Sequence, residues 1–175
     1  MVMEARELRA FRAQLFLEEQ KRLLDYWVSR ASGADLPPRS ALSPADIVPL
    51  LPHVSLIEFL PRPDVIRFRL AGGALWDIYG GEITGHTLDS RDWGETAGYW
   101  RRNYEIIAKE RKPAAGMLPA PAAGKDHLVQ FWLRLPMAGR AGGEMILLGL
   151  DICIAASKLE NGMAGNAAAR AAARG

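Results

Sequence analysis

From Glu4 to Ala31 apolar and polar positions recur at helical spacing, and neither Gly nor Pro interrupts them. The pattern predicts one long N-terminal helix over residues 4–31. Leu8, Phe11 and Leu15 form one apolar stripe. Leu23, Leu24, Trp27 and Val28 form a second, rotated from the first. One face cannot bury both, so the helix either packs on its own domain or pairs in part with a second copy. "SGADLPPRS" ends it. In "SPADIVPLLP", Ser43 suits a cap, Pro44 the first helical position and Asp46 the first turn, which predicts a short helical turn closed by Pro49 and Pro52.

The period then changes. "HVSLIEFL" reads as an apolar strand, "RPD" as a turn, and "VIRFRLAG" as a second strand, with Ile66, Phe68 and Leu70 alternating with Arg67 and Arg69. A short helix, "GALWDIYGG", follows between glycine pairs. Asp92 to Lys112 is the clearest helix: Asp92 and Glu95 resemble a capping box, and Trp93, Ala97, Trp100, Tyr104, Ile107 and Ala108 share a stripe. Pro113 stops it. Three strand candidates complete the pattern. "AAGMLPA" is weak. "KDHLVQFWLRLPM" puts Val129, Phe131, Leu133 and Leu135 on one face and Trp132 on the other, where a covering N-terminal helix or a partner would suit it. "EMILLGLDI" is apolar throughout, as a central strand covered on both faces would be. "AGRAGG" reads as the hairpin loop between the last two. Without βαβ alternation, this order predicts an α+β domain: a five-stranded antiparallel sheet with helices over one face.

Composition narrows the class. The hydrophobic fraction of 49% and charged fraction of 24% are those of a globular protein, and a net charge of +2 gives no reason to expect nucleic acid. A single cysteine, Cys153, excludes an internal disulfide and suits a reducing, bacterial and cytoplasmic setting. No signal peptide and no membrane span are read from the chain. The Ala-rich end is assigned no chemistry. The expected division is a helical extension over 1–35 with a possible dimerising role, a domain over 36–153, and a flexible tail over 154–175.

The stretch "FRLAGGALWDIYGGEITGHTLDS" carries a resemblance. Glu82, Gly85 and Leu88 are similar to the "E-x-x-G-x-x-L" signature of PAS domains, and the element order resembles the PAS fold over about residues 36–152. The chain looks like the small, stand-alone proteobacterial PAS-like proteins. Gly72 and Gly73 would permit the sharp turn out of the second strand, Gly80 or Gly81 would cap the short helix, and Gly85 would make the next turn.

The resemblance implies a sensory or regulatory module. It would bind a small apolar or aromatic ligand, or a partner protein, and signal through its N-terminal helix to a partner in trans as a homodimer. Trp76, Tyr79, His86, Trp100, Tyr104 and Phe131 are the candidate ligand-binding residues. His53 and His127 are read as structural, and no metal-ligand spacing appears. The cofactor stays unnamed. The segment 93–112 has no histidine, which argues against haem held from that helix, and no cysteine stands where a LOV-type flavin adduct needs one. No nucleophile motif points to an enzyme. Two rivals stand beside this reading. One is a dimerising adaptor whose core is filled by its own aromatics. The other is a cone-shaped enzyme of the ketosteroid-isomerase type, with Glu58 or Asp151 as its carboxylate.

Overall fold

The computed structural model describes residues 3–31, 35–61, 64–90, 93, 96–122, 124–125, 127–139 and 145–159. The "RPD" turn, the Asp92–Glu95 capping box, the centre of the "AGRAGG" loop and the Ala-rich end lie wholly or mostly outside these residues.

Five strands form one antiparallel sheet: β1 (Val54–Pro61), β2 (Asp64–Ala71), β3 (Ala114–Pro119), β4 (Leu128–Ala138) and β5 (Met145–Ala155), in the order β2-β1-β5-β4-β3. β5 is the central strand, and its residues 145–151 are all buried, as its unbroken apolar run predicts. β2 and β3 are consecutive strands on opposite edges. The chain between them must therefore cross a whole face of the sheet, and it does so as helices α3 (Ala74–Tyr79) and α4 (Thr96–Glu110). This crossing makes the face an enclosed interior.

The N-terminal segment is helical but not continuous. It forms α1 (Ala5–Gln14) and α2 (Glu18–Ser29), broken at Leu15–Leu17. The break answers the problem of the two rotated stripes. Leu23, Leu24 and Trp27 of α2 are buried, while α1 buries nothing fully. At the break Leu15 and Leu17 turn inward. The backbone N–H of Leu17 donates to Gln20 Oε1 (3.1 Å), and Gln20 Nε2 donates to the Trp132 carbonyl (3.1 Å), so one buried side chain caps α2 and pins it to β4. Trp27 Nε1 donates to the Pro136 carbonyl (2.8 Å). α2 thus covers the second face of its own sheet.

Residues 43–53 form two short 3-10 turns, Pro44–Asp46 and Val48–His53, and Ser43 supplies no side-chain cap. The residue pattern of β2 fails at one point. Leu56 pairs with Leu70 but Ile57 with Phe68, so Arg69 is an extra residue in β2 that turns Leu70 off the buried parity and leaves it 47% exposed while Ile66 and Phe68 stay buried.

Two expected glycine roles separate clearly. A Cβ on Gly72 would fall on the carbonyl oxygens of Leu51 and Pro52, so the backbones there approach too closely for any side chain. Gly73 has φ −60° and open space around it, and needs no such freedom. Gly80 (φ 70°) ends α3 in the left-handed conformation. Glu82 Oε1 accepts from the N–H groups of Ile83 (2.9 Å) and Thr84 (2.7 Å). Gly85 (φ 82°) then returns the chain along β2, where Phe68 N–H donates to the His86 carbonyl and Leu88 N–H to the Ile66 carbonyl. The signature Glu82, Gly85 and Leu88 is thus the device that seals the β2 edge.

Candidate ligand site

Alternation on the paired central strands decides which side chains enter the interior. On β4 the set Gln130, Trp132 and Arg134 faces α3 and α4, and Phe131 faces the N-terminal helices. The expected assignment of Trp132 and Phe131 is therefore reversed. Trp132 packs edge-on against Trp100 (centroids 5.5 Å apart) and donates from Nε1 to Tyr99 Oη (3.0 Å). Phe131 stacks on Phe16 (5.0 Å) at the opposite face. Strand period fixes that the two point apart; only the crossing of α3 and α4 fixes which side is the interior.

The interior is built around a buried ion pair. Arg134 and Asp151 are both fully buried, and Arg134 Nη2 donates to Asp151 Oδ1 (2.9 Å). Gln130 Nε2 donates to the same oxygen (2.7 Å) and to Tyr79 Oη (2.9 Å), and Tyr79 Oη donates to it at 3.3 Å. Arg134 Nη1 also donates to the carbonyls of Leu133 (3.0 Å) and Leu150 (3.2 Å). Its guanidinium lies over the Trp100 ring (4.8 Å), with Tyr104 and Trp132 each at 5.8 Å. Gly149, opposite Arg134 in the β4–β5 register, makes room for it: a Cβ there would fall on Ser55 Oγ and stand 3.2 Å from Arg134 Nη1. Gly116 does the same for Trp132, whose ring lies 2.7 Å from where a Cβ would be.

The charges are consistent with this arrangement. Burial works against the Arg134 guanidinium, but Asp151, Tyr104 and Tyr79 together outweigh it and carry its pKa well above the ordinary value. Burial, reinforced by Asp151, pushes the Tyr79 phenol well up. Burial also raises Tyr104, to about 12.

Hydrogen bonding across the cluster is lopsided. Three donors converge on Asp151 Oδ1, while Asp151 Oδ2, Arg134 Nε, Gln130 Oε1, Tyr104 Oη, Trp100 Nε1 and Ser55 Oγ are buried without a partner among the described residues. Both donors and acceptors remain free, so the cluster can receive a group carrying each.

Of the six expected ligand residues, Tyr79, Trp100 and Tyr104 meet in this interior. Trp76 is 58% exposed on the outside of α3, His86 is exposed on the segment sealing β2, and Phe131 lies on the other face. Sequence reasoning missed Gln130, Arg134 and Gly149, and brought Asp151 forward only as a candidate enzyme carboxylate. The available signal was polar residues at one parity within strands that are otherwise apolar. The two carboxylates considered for an enzyme are both held by arginine: Asp151 by Arg134 inside, and Glu58 by Arg67 and Arg69 on the outer face. Among the described residues no group of three or more His, Cys, Asp or Glu could hold a metal ion, and no helix is long and apolar enough to cross a membrane.

Comparison with curated proteins gives no match. A family model described as the PAS domain matches residues 16–152, a span running from the α1–α2 break through α2, the five strands and the crossing helices, as far as Ile152 in β5. With the order β2-β1-β5-β4-β3 and two helices over one face, this match places the chain in the PAS domain family.

Proposed function

We propose that this PAS domain is a sensory and regulatory module that binds a small molecule between the sheet and α3/α4 and transmits occupancy to its N-terminal helices. The observation that carries the reading is the one-sided loading of Asp151: among the described residues three donors reach Oδ1 and none reaches Oδ2, with Gln130 Oε1 and Trp100 Nε1 also unpaired beside it. Unpaired polar groups at such depth cost stability, of order 1–3 kcal/mol each, and a ligand that pairs with them recovers it. The proposed ligand is small, with a flat or apolar body for Trp100, Tyr104 and Trp132 and a head that both donates and accepts. Tyr79 and Gln130 hold Asp151 in place. Trp132 supplies the route outward, because its side chain lines the site while its carbonyl accepts from Gln20 at the start of α2. The output passes to a separate protein, and the module works as a homodimer.

A second reading, a dimerising adaptor with a filled core, is favoured by the close packing of the interior, where Trp100, Tyr104, Trp132 and Arg134 are each at most 2% exposed. Native mass spectrometry of freshly purified protein separates the two. The sensor predicts a non-covalent adduct that Tyr104→Phe reduces without unfolding the chain. An apo mass in both proteins, with no stabilisation by any member of a metabolite panel, supports the adaptor.

A further inference from the structure

The outer face holds a second charged feature that the interior does not involve. Glu58 of β1 is only 7% exposed, and two arginines of β2 clamp it: Arg67 Nη2 donates to Oε2 (2.7 Å) and Arg69 Nη1 to Oε1 (2.5 Å). Arg67 Nε adds a longer bond at 3.3 Å. These groups border a cavity of about 220 Å³ that Arg39 also lines, with Leu60, Met145 and Ile146 as apolar wall. Among the described residues, three guanidinium groups face one carboxylate at the cavity. Arg67 Nη1, Arg69 Nε and Nη2, and the whole Arg39 guanidinium have no protein partner among the described residues. Arg67 and Arg69 take one oxygen of Glu58 each, and Arg39 faces the cavity without a carboxylate among the described residues. The surplus here, on planar forks suited to two-oxygen anions and beside an apolar wall, is the pattern of a receptor for a charged organic molecule.

We propose that the cavity between Arg39, Arg67 and Arg69 binds a small organic dianion, a phosphate monoester or a dicarboxylate, with its apolar part against Leu60, Met145 and Ile146. Glu58 acts as the resident anion that keeps Arg67 and Arg69 aligned and competes with the ligand. The site is distinct from the interior cluster, since Glu58, Arg67 and Ile146 alternate onto the opposite face of the sheet from Arg134 and Asp151.

Titration calorimetry on the full chain tests this with phenyl phosphate and phthalate as the two arms, and with inorganic phosphate and benzyl alcohol as controls. Saturable binding of either arm, about tenfold weaker in Arg39→Gln and in Arg69→Gln, supports the site and identifies the head group. The Arg39 guanidinium makes no hydrogen bond to another described residue, so Arg39→Gln removes no side-chain contact among them and is expected to fold as the parent does. Glu58→Gln removes the competitor and should tighten binding several-fold. The proposal is overturned if neither arm binds saturably, if the arginine variants bind as the parent does, or if inorganic phosphate binds as tightly as phenyl phosphate.

Discussion

Asp151 is the anion that, among the described residues, pairs with the fully buried Arg134. Removing one partner of a buried ion pair strands the other charge in low dielectric. Asp151→Ala should therefore cost about 3–5 kcal/mol, read as a shift of the urea midpoint. Replacing both partners with apolar residues, Arg134→Met with Asp151→Leu, should recover most of that loss. Equal stability of Asp151→Ala and the parent would contradict the role given to the pair. Tyr104 supplies a pH test. Its phenol holds its proton up to about 12 when folded, against an ordinary value of 10.0. Between those values the unfolded chain ionises and the folded chain does not, so unfolding releases a proton and stability falls as pH rises. The fall amounts to roughly 2–3 kcal/mol, and Tyr79 acts in the same direction. Tyr104→Phe should flatten this alkaline slope; a stability that is level to pH 11 in the parent would refute it.

Among the elements, the strands were the most legible. Their period of two and the continuous apolar run of β5 follow from which faces are covered, and both are written in local composition. The N-terminal helix was less legible. Helix propensity runs unbroken through Leu15–Leu17, yet the chain breaks there because a straight helix would leave one of its two stripes in water. Glycines show the same division. Gly80 and Gly85 sit at positive φ, which sequence context suggests. Gly72 and Gly73 look alike in sequence but differ in their surroundings. Gly72→Ala should destabilise strongly, by several kcal/mol, because the new methyl meets the Leu51 and Pro52 carbonyls. Gly73→Ala meets open space at φ −60° and should be neutral or stabilise by about 0.4–1 kcal/mol. Thermal melts of the two variants check the pair, and equal melting temperatures would contradict the close approach at Gly72.

At the scale of the whole molecule, the sheet is covered twice, by α3 and α4 on one face and by α2 on the other. The two N-terminal helices contribute unequally. α1 is tied back by surface pairs, Arg12 to Asp25 (2.8 Å) and Lys112 to Glu7 (3.4 Å), which are worth little in solvent. α2 buries Leu23, Leu24 and Trp27, each worth roughly 1.5–3 kcal/mol or more, a sum comparable to the stability of a typical domain. Deleting residues 1–14 should leave a cooperative thermal transition. Deleting residues 1–29 should abolish it or cause aggregation on size-exclusion chromatography. A chain lacking 1–29 that melts like the parent would show that the outer face needs no cover.

The sequence alone determined the element order, the antiparallel sheet with helices over one face, and the PAS resemblance, because these depend on local period, glycine placement and composition. It also brought Tyr79, Trp100 and Tyr104 forward as interior aromatics. Only the tertiary structure decided that Trp132 and not Phe131 enters the interior, and that Gln130, Arg134 and Asp151 meet there. Alternation along a strand says which residues share a face. Which face becomes the inside is set by the path of the chain from one sheet edge to the other, a relation between elements that no single stretch of sequence contains.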